Sequence, residues 1–349
     1  MKRTILLAYA TILLTLPANA AEPNAHTIEN VDYYPMLDGY CAMTALRMNL
    51  HYYGVDVDQS TLLNLGWNYG FFFIDSPFYT GAYPCTEPVA EIIHAANLLG
   101  FKTEFLVHAS LDEARQTLVK YISQDIPVII QWTPHTVLAY GYQDNARTVI
   151  VHNPGQPTPD LVPKTRWQRT TFPIADWLQP PILWQFRGFQ MVVITPDTKT
   201  PNIDWKQIWA RAAAKTLGID KGDQPGYSGT PGIETMIKYI QAHAGQNDKK
   251  SRENLHNFKM TFELGAGFRR NASAFLAGFA AASNDQNLTQ AALHLRASAL
   301  LFRQGQTLLE HSKSHPNQQP QIVKELTQIL HAIINEETAA AQHLQKASQ

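Results

Sequence analysis

Apolar positions in the first half of the chain alternate between two periods. Met43, Leu46, Leu50 and Tyr53 recur at helical spacing, so a helix is predicted to open at Cys41, just after the structure-breaking pair Asp38-Gly39, and to stop at Gly54. A short helix over Asp58–Leu65 takes Asp58 as its N-cap, and an amphipathic helix over Glu87–Leu99 follows Thr86 and ends at Gly100. Ser110 to Tyr121 begins with a capping-box pattern, because Glu113 follows Ser110 by three. Strands are predicted at Lys102–Val107, Val128–Trp132 and Gly188–Thr195. Two β-branched runs flank Asp144-Asn145 and read as a β-hairpin. Helices first and an antiparallel sheet later indicate an α+β layout.

From about Lys199 the helical period takes over. Pro201–Leu217 reads as a helix, and Gly218–Gly232 is a break rich in Gly, Pro and Asp. Gly265–Ala282 and Asn287–Leu309 are helices rich in small residues, and a polar patch, His311–Gln319, follows them. Ile322, Leu326, Ile329, Leu330 and Ile333 then form a continuous apolar stripe. Residues 199–349 are therefore predicted to be an α-helical domain, packed against a mixed domain at 21–198.

Residues 1–20 carry a different signature. Lys2 and Arg3 precede the apolar run Ile5–Leu16, and Pro17-Ala18-Asn19-Ala20 ends in a small-x-small pattern. This is a signal peptide cleaved near Ala20, and it implies an exported protein. The run is too short to span a bilayer comfortably, and no integral membrane segment is expected in the mature chain. With a net charge of −1 and a pI near 6.9, the chain has no basic footprint for nucleic acid.

The candidate chemistry is nucleophilic. Cys41, in the first turn of its helix, meets the free N–H groups and positive dipole end that lower a thiol pKa. If the hairpin turn centres on Asp144, His135 and Asn153 become cross-strand partners, close enough to hydrogen-bond. That order suits a nucleophile (Cys41), a general base (His135) and a residue that orients the base (Asn153). Asp144 and Asn145 sit at the hairpin tip, and His152 belongs on the other face of its strand. Metal catalysis is not expected: the chain has 13 His but no His-Glu-x-x-His and no Cys-x-x-Cys. There is no Gly-x-Ser-x-Gly elbow and no Gly-rich phosphate loop, and no cofactor is implied. The aromatic stretch between Gly66 and Pro88 has two readings: rings packed back on the core, or a substrate-cleft wall in which Trp67, Phe71 and Phe73 take part.

These segments carry a resemblance. Cys-x-x-x-Ala-Leu-x-Met-x-Leu-x-Tyr-Tyr-Gly at Cys41–Gly54, followed by His-x-Val-x-x-x-Gly-Tyr from His135 and by Asn153-Pro154, resembles the papain-like cysteine peptidase superfamily in its bacterial form. Within it the chain is most similar to the butirosin-biosynthesis protein H N-terminal family. Leu65-Gly66-Trp67-x-x-Gly70-Phe71-x-Phe73 supports this, and Gly267-Phe268-Arg269 with Phe275-Leu276 resembles the companion helical C-terminal domain. The resemblance implies a papain-like fold and an acyl transfer in which Cys41 carries the acyl group, His135 acts as base and Asn153 orients it. Related leader peptidases carry an oxyanion-stabilising Gln six residues before the Cys, where this chain has Pro35.

The expected function is that of an exported thiol enzyme passing an acyl group from a Cys41 thioester to an amine. Its substrate would be a small molecule or peptide bearing an acyl or amide group. One alternative is a peptidase or amidase in which water resolves the thioester. Another is a non-catalytic binding protein on a papain-like shell, with the only two cysteines, Cys41 and Cys85, joined in a disulfide.

Overall fold

The computed structural model describes residues 24–36, 40–67, 70–75, 80–83, 88–132, 135–154, 170–173, 188–219, 227–244 and 249–349. The signal-peptide segment, Cys85 and the Thr86 cap lie outside the described residues.

The short strand β1 (His26–Thr27) leads into α1 (Cys41–Tyr52) and α2 (Gln59–Gly66). As predicted, the Asp58 carboxylate caps α2 by accepting from the Thr61 N–H at 2.9 Å. The hairpin β2 (Phe72–Asp75) and β3 (Thr80–Tyr83) and helix α3 (Pro88–Leu98) follow. Then come β4 (Phe101–His108) and α4 (Leu111–Ile122), whose Ser110–Glu113 capping box forms in full. The remaining strands are β5 (Val128–Trp132), β6 (His135–Gln143), β7 (Thr148–His152), β8 (Thr170–Pro173) and β9 (Phe189–Pro196). They build an antiparallel sheet in the order β4-β9-β5-β6-β7-β8, with β1 added alongside β6.

Strand alternation gives the sheet two apolar faces. Ile129, Leu138, Val192 and Ile194 meet α1, α2 and α3, whereas Val128, Ile130, Val137 and Val193 meet α4. The architecture is α+β, as the sequence indicates, with helices on both faces of one antiparallel sheet.

The hairpin differs from its expected form. Asp144, Asn145 and Ala146 all adopt left-handed φ (51°, 53° and 58°), so the turn is longer than a two-residue tip. A bulge between Ala139 and Gly141 then shifts the register, pairing Gln143 with Thr148 but Leu138 with His152. Continuing that register sets Asn153 across from Val137. His135 is its diagonal neighbour, not its direct partner.

The helical half consists of α5 (Trp205–Thr216), α6 (Gly229–His243), α7 (Lys249–His256), α8 (Lys259–Ser283), α9 (Gln286–Ser314) and α10 (Gln319–Ala347), with the two-residue strand β10 (Tyr227–Ser228) before α6. It does not pack as a separate body. One core cluster joins Leu46, Leu63, Ile92 and Ile194 of the first half to Trp209, Phe268, Leu295 and Leu344 of the second. A buried Lys215–Glu91 ion pair ties α5 to α3. β10 also pairs with β2, so the aromatic hairpin belongs to a three-stranded sheet shared by both halves. The Thr261 hydroxyl donates to the Ala82 carbonyl of that hairpin at 2.5 Å.

Helices α8 and α9 approach closely because each offers a glycine to the other's phenylalanine. A Cβ on Gly265 would lie 2.6 Å from the Phe302 ring, and one on Gly305 would lie 2.3 Å from the Phe262 ring. Gly278, further along α8, faces open space. The same Gly→Ala change should therefore act with opposite signs on these two helices. Gly278→Ala gains about 1 kcal/mol of helix propensity. Gly305→Ala gains the same term but overpacks Phe262 at about 1–3 kcal/mol, so the net change is destabilising. Thermal melts of the two variants check this: the melting temperature should rise for Gly278→Ala and fall for Gly305→Ala.

Candidate active site

Cys41 is the first residue of α1, with Tyr40 as N-cap. The Tyr40 side chain makes no capping hydrogen bond, which leaves the first-turn N–H groups without a side-chain acceptor from the cap. The α1 helix lies against β6 and β5, burying Met43, Leu46 and Leu50 and holding the partly exposed Cys41 at the start of β6.

Three predicted residues converge there. The His135 imidazole lies beside the Cys41 thiol, near enough for each group's charge to act on the other. Its Nε2 lies 2.5 Å from Asn153 Oδ1. Nε2 therefore carries a proton donated to Asn153, and Nδ1 is the nitrogen left to face sulfur. The diagonal register explains how this contact forms: His135 and Asn153 point to the same face, within reach of each other across the strands. The thiol sulfur also accepts the Thr136 N–H at 3.3 Å.

The site's electrostatics favour an ion pair. Burial pushes the Cys41 thiol up, but the charge of His135 and the hydrogen bonds from His135 and Thr136 more than offset it, so the thiol titrates below its ordinary value. Burial likewise pushes His135 down. The Cys41 charge, its hydrogen bond and the Asn153 contact outweigh that, and the imidazole titrates above its ordinary value. Both shifts favour the charged form of their group, the thiolate of Cys41 and the imidazolium of His135.

Cys41 is a free thiol. Cys85, its partner in the disulfide of the binding-protein alternative, lies outside the described residues. The aromatic expectation is also corrected. Trp67, Phe71 and Phe73 are at most 1% exposed, so they have no surface from which to touch a substrate. Trp67 packs edge-on against Trp209, and Phe73 stacks on Phe258; in both cases the helical half supplies the partner. His152 lies off the site as expected, its Nε2 2.7 Å from the Val31 carbonyl and its ring stacked on Tyr140.

Sequence reasoning missed a polar row beneath the nucleophile. Gln131 pairs with Thr136 on one side and Gln190 on the other, and all three side chains are buried. The Thr136 hydroxyl donates to Gln131 Oε1 at 2.8 Å, which fixes the strand start that carries His135 and the Thr136 N–H. A signal for this existed: Gln131 interrupts the otherwise apolar run Ile126–Trp132, two residues after Ile129 on the buried face. Among the described residues no His, Cys, Asp and Glu side chains cluster in a way that would hold a metal ion.

Residues 28–175 match the Peptidase_C39 like family, and residues 187–344 match a domain of unknown function, DUF4872. No curated protein matches the chain. Among solved structures, the peptidase domain of Streptococcus ComA, described as a bi-functional ABC transporter involved in a quorum sensing pathway, is similar at 18% identity, covering 48% of this chain and 99% of that one, with a TM-score of 0.31. Residues 28–175 are thus similar to the Peptidase_C39 like family, and the mostly helical residues 187–344 to the DUF4872 domain.

Proposed function

We propose that this protein is a thiol enzyme that opens a peptide, amide or other acyl carbonyl through a thioester on Cys41. One observation carries this reading: Cys41, His135 and Asn153, from three separate segments, come together at a helix start, with His135 hydrogen-bonded to Asn153 and its charge acting on the Cys41 thiol.

The steps follow from the geometry. The Cys41 thiolate attacks the carbonyl carbon; a C–S bond forms and the π electron pair moves to oxygen. First-turn N–H groups of α1, Cys41's own among them, face the developing oxyanion. As the tetrahedral species collapses, imidazolium Nδ1–H of His135 protonates the departing amine, leaving a thioester and a neutral imidazole. An incoming water or amine then gives its proton to Nδ1 and attacks the thioester carbon, and the thiolate is expelled. Asn153 keeps the ring oriented through both halves of the cycle.

Water as acceptor, giving a peptidase or amidase, is supported by the match to a peptidase-like family. An amine as acceptor, giving an acyltransferase, is supported by the resemblance to the butirosin-biosynthesis family and its companion helical domain. Export after cleavage near Ala20 belongs to the same proposal, and it favours peptides, amides or extracellular acyl donors over cytoplasmic carrier thioesters. Among the described residues, no helix is long and apolar enough to cross a membrane.

Loading Cys41 from p-nitrophenyl acetate, then following thioester decay by intact mass with and without a primary amine, separates the two acceptors. Amide formation indicates transfer; decay to acetate unchanged by the amine indicates hydrolysis. Cys41→Ala should abolish acylation while leaving the melting temperature within a few degrees, and retained turnover in that variant would end the proposal. Iodoacetamide labelling of Cys41 should persist well below about pH 8.5, the ordinary thiol range. In His135→Ala only burial and the Thr136 contact remain, and the labelling midpoint should move to higher pH. Asn153→Ala removes a contact that raises His135, so the basic limb of the pH–rate profile should shift to lower pH.

A further inference from the structure

The helical domain reaches the reacting centre through Tyr40. This residue is an unusual N-cap: it lacks the short polar side chain that ordinarily satisfies first-turn N–H groups. An Asp or Ser there would occupy the donors that an oxyanion needs. The backbone of Tyr40 must then be held by other means, and three contacts hold it. Its carbonyl accepts from the Thr44 hydroxyl at 2.9 Å and from Gln59 Nε2 at 3.3 Å, in addition to the helical bond from the Thr44 N–H at 3.4 Å. Its ring, 3% exposed, meets the edge of Phe268 with centroids 5.1 Å apart and planes at 84°.

Fixing that carbonyl fixes the next N–H. The peptide between Tyr40 and Cys41 is planar and trans, so the Cys41 N–H points opposite to the Tyr40 C=O. With the carbonyl directed into α1 by Thr44 and Gln59, the Cys41 N–H is directed off the helix start, beside its own sulfur.

Helix α8 secures this arrangement at three nearby positions, 268, 269 and 271. Phe268 supports the Tyr40 ring. Arg269, fully buried, donates to the Gly70 carbonyl at 3.2 Å and is anchored by Glu337 of α10 through contacts of 2.7 and 3.2 Å. Asn271 Oδ1 accepts from Ser60 at 2.9 Å, next to Gln59 at the start of α2.

We infer that Phe268 of the helical domain and Gln59 of α2 are positioning residues for the oxyanion donor, acting on the Cys41 N–H through the Tyr40–Cys41 peptide. The inference rests on the thiol-enzyme reading above. It gives the DUF4872-type domain a part in catalysis without contact with substrate.

Two reagents separate this role from a structural one. Alkylation by iodoacetamide needs the thiolate but no oxyanion donor. Acylation by p-nitrophenyl acetate needs both: sulfur bonds to the acetyl carbon, charge passes through the carbonyl oxygen, and p-nitrophenolate leaves without needing a proton. Full-length Phe268→Leu and Gln59→Met, the first keeping an apolar group in the core and the second nearly isosteric, are compared with wild type at one pH. The acylation rate should fall about tenfold or more, as expected for a displaced oxyanion donor, while alkylation stays within about twofold. If both rates keep their wild-type values, or both fall together, the positioning role is overturned. A wild-type protein that is alkylated but never acylated would bring down the thiol-enzyme reading, and this inference with it.

Discussion

The start of α1 is the constraint on which the rest of the structure depends. A helix that opens on its nucleophile, with no capping hydrogen bond from its N-cap side chain, presents first-turn N–H groups and a positive dipole end where the sulfur sits. This is costly for helix stability and useful for chemistry. The surrounding fold offsets the cost by burial: Met43, Ala45, Leu46, Met48 and Leu50 are inaccessible to solvent, held between the sheet and the helices behind it. A weak cap on an otherwise fully packed helix indicates a functional role at its first turn.

The same constraint accounts for the polar groups beneath the site. The Cys41 sulfur arrives on α1 and meets the His135 ring and the Thr136 N–H at the start of β6, a strand that bulges a few residues later. At that end of the sheet Gln190, Gln131 and Thr136 are neighbours on three adjacent strands, and the Thr136–Gln131 side-chain hydrogen bond adds to the backbone pairing of β5 with β6. The helical half holds the opposite flank. Its core is continuous with that of the first half, and buried pairs such as Lys215–Glu91 and Arg269–Glu337 sit on that shared boundary. Breaking either partner of such a pair leaves an uncompensated buried charge, so these contacts set register and orientation more than they add net stability.

Local physics made much of this legible beforehand. The Ser110–Glu113 box, the Asp58 cap and the strand at Val128–Trp132 are written in neighbouring residues and form as read, and the strand expected at Gly188–Thr195 forms one residue later, at Phe189–Pro196. The order of Cys41, His135 and Asn153 was legible too. What could not be read depends on partners distant in the chain. The hairpin register slipped because three left-handed turn residues and the bulge near Tyr140 change the pairing, and neither follows from a two-residue tip. Core packing and a cleft wall could not be told apart for Trp67, Phe71 and Phe73, because the partners that bury them, among them Trp209 and Phe258, lie in the helical half. The β2–β3 hairpin is completed by β10, from the far side of the predicted domain boundary.

The central claim is that Cys41 and His135 exist as a thiolate and an imidazolium in the resting protein. Nitrogen-15 NMR of the His135 ring, assigned by its loss in His135→Ala and followed against pH, observes this state directly. The account predicts that both ring nitrogens stay protonated well above about pH 6.5, the ordinary histidine value, and that this range collapses when Cys41 is replaced by Ser and the opposing charge is lost. A His135 ring that titrates at its ordinary value in wild type, unchanged by Cys41→Ser, would contradict it.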